Sequence, residues 1–145
     1  MTPQTPTPHS LAALFAGARD LRERPLISMH VIMAMRLCVI CTRTDQDPVA
    51  ALEQRFRSGL AARRFRVLVI AIDQAWPERF MISRPCCAHL TPDEAMIADL
   101  AATAAYGDRS AFDTVARDML SAEARDQLHI RFSAFLRALN APEKP

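Results

Sequence analysis

Cys86, Cys87 and His89 fall within four residues, in the segment Arg84-Pro85-Cys86-Cys87-Ala88-His89-Leu90-Thr91-Pro92-Asp93-Glu94. Thiolate and imidazole are the side chains that most readily bind soft metals or carry redox chemistry near neutral pH. A second pair, Cys38-x-x-Cys41, brings the candidate zinc ligands to five: Cys38, Cys41, Cys86, Cys87 and His89. Tetrahedral zinc takes four. Against a metal, Cys38 and Cys41 lie inside an apolar run, where residues three apart share one face of a helix and free cysteine packs as a small hydrophobe. Redox use of the pair is a third alternative. Cys86 and Cys87 are adjacent, so their side chains point in different directions and at most one enters the core. The other lies near the positive end of a helix, beside Arg84, a basic setting of the kind reactive thiols use. The competing reading is a structured loop packed into the fold. A catalytic Cys–His pair would need a third group to orient the base, and spacing alone does not supply one.

Arg55, Arg57, Arg63, Arg64 and Arg66 place five positive charges in twelve residues around Gly59. Such a patch suits phosphate backbones or an acidic partner. No helix-turn-helix, RNA-binding or zinc-finger signature accompanies it, so a solvated arginine-rich helix junction is the simpler expectation. Phosphate-loop, Ser-His-Asp, H-E-x-x-H and paired-carboxylate motifs are absent, and three glycines in 145 residues leave little for a nucleotide cradle. His30 and His129 sit in helical patterns and read as ordinary packed or surface residues.

Several helices must position these groups. Ser10 caps a first one, with Leu11, Leu14, Phe15, Ala18 and Leu21 on one face. The run from Leu26 to Cys41 is apolar nearly all round, as a central buried helix would be, although its β-branched residues also allow a strand. Asp47-Pro48 starts a helix that the spacing carries to about Gly59. Phe65, Leu68, Val69, Ile72 and Trp76 recur at helical spacing before Pro77. Val67–Ile72 alone would pass for a strand, but the period extends through Trp76. Residues 79–83 read as extended. Thr91-Pro92-Asp93-Glu94 is a capping box with proline at the first helical position, opening a helix to Tyr106 that Gly107 stops. Two more helices follow. The first, from near Ser110, buries Phe112, Val115, Ala116 and Met119; the second, after Ser121, buries Leu128, Phe132, Phe135, Leu136 and Leu139 and ends at Asn140.

The expected fold is therefore all-α, a single-domain bundle of six to seven helices over residues 10–140, with a flexible Thr/Pro-rich tail at 1–9 and a C-terminal tail at 141–145. Composition agrees: half the residues are hydrophobic and 23% are charged, enough apolar material for one core. The formal net charge of +2 hides an asymmetry, because residues 1–72 hold ten arginines against five acids and residues 73–145 hold eight bases against eleven acids. The apolar run Leu26–Cys41 is only sixteen residues and carries Ser28, His30 and Arg36, so no membrane span is expected. The N-terminus lacks the charge and apolar core of a secretory signal. A cytoplasmic setting with reduced thiols is the expectation.

The segment Pro85-Cys86-Cys87-Ala88-His89-Leu90-Thr91-Pro92-Asp93-Glu94-Ala95 resembles a family of small helical bacterial proteins that carry Pro-Cys-Cys, a short gap and then Thr-x-Asp-Glu-Ala. The similarity extends upstream through Phe65–Trp76 and loosely over residues 30–140. Family members often have a third consecutive cysteine where this chain has Ala88, which weakens an inferred metal site. The resemblance implies a helical fold and a cytoplasmic bacterial setting, and no activity. The leading expectation is a small interaction or regulatory protein without catalysis, its partner another protein or a second copy. Its rivals are a zinc-binding or redox-responsive thiol protein and a nucleic-acid-associated protein using the arginine patch.

Overall fold

Local capping divides the chain. Asp47 accepts from the Val49 amide with Pro48 at the first helical position, and Ser58, Asp108 and Ser121 accept from the amides of Ala61, Ala111 and Ala124. Each side-chain oxygen satisfies a donor that the first helical turn leaves without a partner. The structure, a computed structural model, describes residues 20–141. Among them are six α-helices and no strand: α1 (Leu26–Arg43), α2 (Pro48–Phe56), α3 (Gly59–Ala75), α4 (Pro92–Tyr106), α5 (Arg109–Ala116) and α6 (Ala122–Asn140). The all-α bundle expected from the sequence is the observed fold. The helix expected from Ser10 lies outside the described residues except at its end, where Leu21 is buried on a short 3-10 turn, Leu21–Glu23. The two expected tails also lie outside, apart from Ala141.

Two boundaries differ from the sequence reading. The helix starting at Pro48 ends at Phe56, before the expected Gly59, because Arg57 takes a left-handed φ of 54° and its amide closes on the Glu53 carbonyl. Ser58 then starts α3 afresh. Val67–Ile72 is helical and lies inside α3. α5 buries Phe112 and Ala116 but ends there, leaving Val115 and Met119 half-buried. Gly107 does stop α4, with an ordinary negative φ of −102°. A Cβ there would lie 3.0 Å from the Thr103 carbonyl oxygen, so a larger residue would crowd the end of the helix.

The longest seam runs between α3 and α6, and α1 lies along α4; α2 packs on both α1 and α3, and α5 closes against α4 and α6. Phe56, Phe65 and Phe135 meet where α2, α3 and α6 converge, with ring centroids 5.0–5.4 Å apart in edge-on and tilted arrangements. Such geometry suits the ring quadrupoles and adds to the burial of the rings themselves. At the other end of α6, Phe112 stacks edge-on against His129 at 4.9 Å and Phe132 at 5.9 Å. Burial, aided by the Arg109 charge, holds the His129 imidazole below its ordinary pKa against the pull of Asp113 and Asp126. Arg109 pairs with Asp113 and Asp126 at 3.0 and 2.6 Å and ties α5 to α6, an exposed cluster that contributes little to stability.

α1 is long and apolar enough to cross a membrane by length and composition. In the bundle it is a core helix. Val31, Ile32, Ala34, Met35, Cys38 and Cys41 are buried, and its interior polar groups have partners on α4 and the segment before it. Ser28 donates to the Ala98 carbonyl at 2.6 Å, and Arg36 pairs with Glu94. Arg24, just before α1, pairs with Asp99.

Candidate functional site

The Cys-Cys-Ala-His segment belongs to an irregular stretch linking α3 to α4, and its backbone is fastened at many points. Cys86 sits on a turn closed by the Cys87 amide donating to the Arg84 carbonyl at 3.1 Å. The Ala88 carbonyl accepts from the Leu21 amide at 2.7 Å, and His89 forms an isolated antiparallel bridge with Asp20. The Ser83 hydroxyl donates to the His89 carbonyl at 3.0 Å. Residues 79–83 take no regular secondary structure, and Thr91 and Asp93 hold Met81 among them: the Thr91 hydroxyl donates to the Met81 carbonyl at 2.6 Å, while Asp93 accepts from the Met81 amide at 2.8 Å and the Trp76 indole at 3.1 Å. Asp93 therefore does more than complement a helix dipole.

Beneath this loop lies a group whose role the sequence reading missed. Arg36 and Glu94 have side chains only 1% exposed. The Arg36 guanidinium forks onto the carboxylate, Nε to Oε2 at 2.8 Å and Nη2 to Oε1 at 3.1 Å. Its remaining donors reach up to the Cys87 carbonyl at 2.6 Å and the His89 carbonyl at 3.4 Å. Glu94 at the same time accepts from the Thr91 amide at 3.0 Å, completing the capping box of α4. Burial pushes the Glu94 carboxyl up, but the hydrogen bonds from Arg36 and Thr91 and the Arg36 charge outweigh it and hold the group below its ordinary value. One signal was present: Arg36 is the lone arginine within the Leu26–Cys41 run, and a charge so placed requires a partner.

The five candidate ligands do not assemble into a coordination set. Among the described residues no group of three or more His, Cys, Asp or Glu is placed to hold a metal ion. Cys38 and Cys41 face inward from α1 and are 3% and 2% exposed. Burial pushes the Cys38 thiol up to about 11, against the opposing charge of Arg66, so it stays protonated and packs as an apolar group. Cys86 is exposed, and Cys87 is half-buried with its thiol donating to the His89 carbonyl at 3.5 Å. All four cysteines are free. Titration with a chromogenic thiol reagent is expected to find Cys86 reacting fastest and Cys87 next, with Cys38 and Cys41 silent until denaturant is added. Four equally reactive thiols in the folded protein would contradict these burials.

The arginines divide as well. Arg55 and Arg57 are exposed at the end of α2, and Arg63 and Arg64 are exposed on the outer face of α3. Arg66 lines a cavity opposite Cys38 and Val39 of α1. It lies one turn along α3 from Arg63 and differs from Arg63 and Arg64 in being half-buried against the cavity. Alongside those two arginines, Leu60, Val67 and Ile70 are 44%, 39% and 44% exposed. Residues spaced in this way share a face of a helix. A cleft of about 370 Å³ continues that face onto α6, between Val67, Ile70 and Gln74 on one side and Glu123, Gln127 and Arg131 on the other. No protein-family model, curated protein or solved structure matches the chain.

Proposed function

We propose that this is a non-catalytic interaction protein that acts through the outer face of α3 and α6. The observation that carries the reading is the solvent-facing apolar pair Val67 and Ile70 lining the cleft to α6, with Leu60 on the same face of α3 44% exposed and Ile130 of α6 51% exposed. Contiguous exposed apolar surface rimmed by polar groups is the usual mark of a docking face. The face carries both signs of charge, Arg63 and Arg64 on α3 and Glu123 beside Arg131 on α6, so Glu123 of one copy can meet the α3 arginines of another. A second copy, docked about a two-fold axis with α3 of each chain on α6 of the other, satisfies both. The free thiols suit a reducing cytoplasm, and the likeness of residues 85–95 to a bacterial family suits the same setting. Sedimentation velocity over a rising concentration series is expected to show a monomer–dimer equilibrium, shifted to monomer by Val67→Asp and Ile70→Asp with helicity unchanged. A protein that stays monomeric throughout sinks the self-docking reading.

A further inference from the structure

We propose that the cavity between α1, α3 and residues 79–82 binds a small apolar carboxylate, its chain on the cavity floor and its head held by Arg43, Arg66 and Arg79. The cavity is about 480 Å³, within the size of clefts that take small molecules, roughly 300–1,000 Å³. Met35, Val39, Val69, Phe80 and Ile82 give it an apolar lining. Cys38 adds to that lining, since burial keeps its thiol protonated.

The charges around this lining are unbalanced. Three arginines, Arg43 from α1, Arg66 from α3 and Arg79 from the segment after α3, line the cavity with a single carboxylate, Asp73. Among the described residues none of the three has an ion pair or a side-chain hydrogen bond; the same holds for Arg55, Arg57, Arg63 and Arg64, but Arg43, Arg66 and Arg79 line one cavity together. Arg43, Arg66 and Arg79 come to the cavity from three elements, so an anion seated there meets a net positive lining. Arg66 and Cys38 both line the cavity, from α3 and α1. Guanidinium forks match a carboxylate in bidentate geometry. A bare inorganic anion would leave the apolar lining unused, and a neutral amphiphile would leave the arginines unused. The cleft on the α3–α6 face has no comparable charge excess, so the two sites are independent.

Isothermal titration calorimetry with decanoate below its micelle concentration tests this directly. Decanoate is expected to bind at one site per chain, with decanol, acetate and inorganic phosphate each at least about tenfold weaker, the scale of one charged hydrogen bond. Arg66→Gln is expected to weaken decanoate by about tenfold, and Arg43→Gln and Arg79→Gln, at exposed side chains that threaten no packing, by several-fold. Val39→Trp, which fills the cavity, is expected to abolish binding while circular dichroism shows the helices retained. Decanol binding as tightly as decanoate would overturn the proposal, as would phosphate doing so. Full decanoate affinity in all three arginine variants, or no decanoate binding at millimolar concentration, would also overturn it.

Discussion

Replacing Glu94 with alanine is expected to destabilise the protein by about 3–5 kcal/mol, the cost of stranding a buried guanidinium without its counter-charge. The size follows from geometry. Arg36 and Glu94 are both 1% exposed and joined by two hydrogen bonds, so removing the carboxylate leaves a full charge with no water to solvate it. The same substitution deletes half of the capping box, since the Thr91 amide loses its acceptor. Arg36→Met is expected to be costly for the converse reason, and it also frees the carbonyls of Cys87 and His89. The pair Arg36→Met with Glu94→Leu is expected to recover part of the loss, because an apolar pair of similar volume needs no desolvation. Recovery stays incomplete, since the two loop carbonyls and the Thr91 amide still lack partners. Urea unfolding of the four proteins, compared at equal slope, measures each step. A Glu94→Ala loss below about 1 kcal/mol would show that the pair contributes no more than a surface bridge.

The same carboxylate gives stability a pH dependence. Glu94 gives up its proton more readily in the folded protein than in the unfolded chain, whose glutamates titrate near about 4.3. Its contribution is therefore complete above that value and is lost as pH falls from there through the lower, folded value, where the unfolded chain takes up the extra proton. Glu94→Gln is expected to flatten this acid limb of the stability curve while lowering stability at neutral pH. An acid limb unchanged in Glu94→Gln would assign the effect to other carboxylates.

Phe135→Ala is expected to cost a further about 3–5 kcal/mol by a different physics, the loss of transfer free energy plus an unfilled cavity. Phe135 is fully buried and its ring lies 5.0 Å from that of Phe65 and 5.2 Å from that of Phe56. It is thus the point where α6 grips both α3 and α2. For a chain of this length the loss corresponds to a fall in Tm on the order of 10 °C in a calorimetric scan. Phe135→Leu is expected to lose far less, because most of the volume is kept. Equal losses for alanine and leucine would mean that the edge-on ring contacts, not the filled volume, carry the stabilisation.

What could be read from the sequence divides along physical range. Thr91-Pro92-Asp93-Glu94 announced a helix start because its hydrogen bonds close within four residues, and they are present as expected. The α3 period was legible because Phe65, Leu68, Ile72 and Trp76 repeat at the helical spacing and all are buried. The break between α2 and α3 was not. Arg57 adopts a left-handed conformation that glycine or asparagine would have advertised, and nothing in its chemistry marks it as a stop. The loop chemistry was the least legible. Cys38-x-x-Cys41 and Cys86-Cys87-x-His89 suggested a shared site by composition, but whether such groups meet depends on which way α1 turns, and it turns both thiols into the core. The real tie between those regions is Arg36 with Glu94, 58 residues apart, visible in the sequence only as an awkward charge in an apolar run.

A single guanidinium that fastens α1 to both the start of α4 and the Cys87–His89 backbone also decides how this surface loop moves. The donor that holds the Cys87 carbonyl is itself fixed from behind by Glu94, so the anchor point is rigid even though the residues around it are exposed. Amide exchange is therefore expected to be slower at the anchored end of the loop, near Cys87 to Leu90, than at Arg84 and Cys86, as measured by hydrogen exchange.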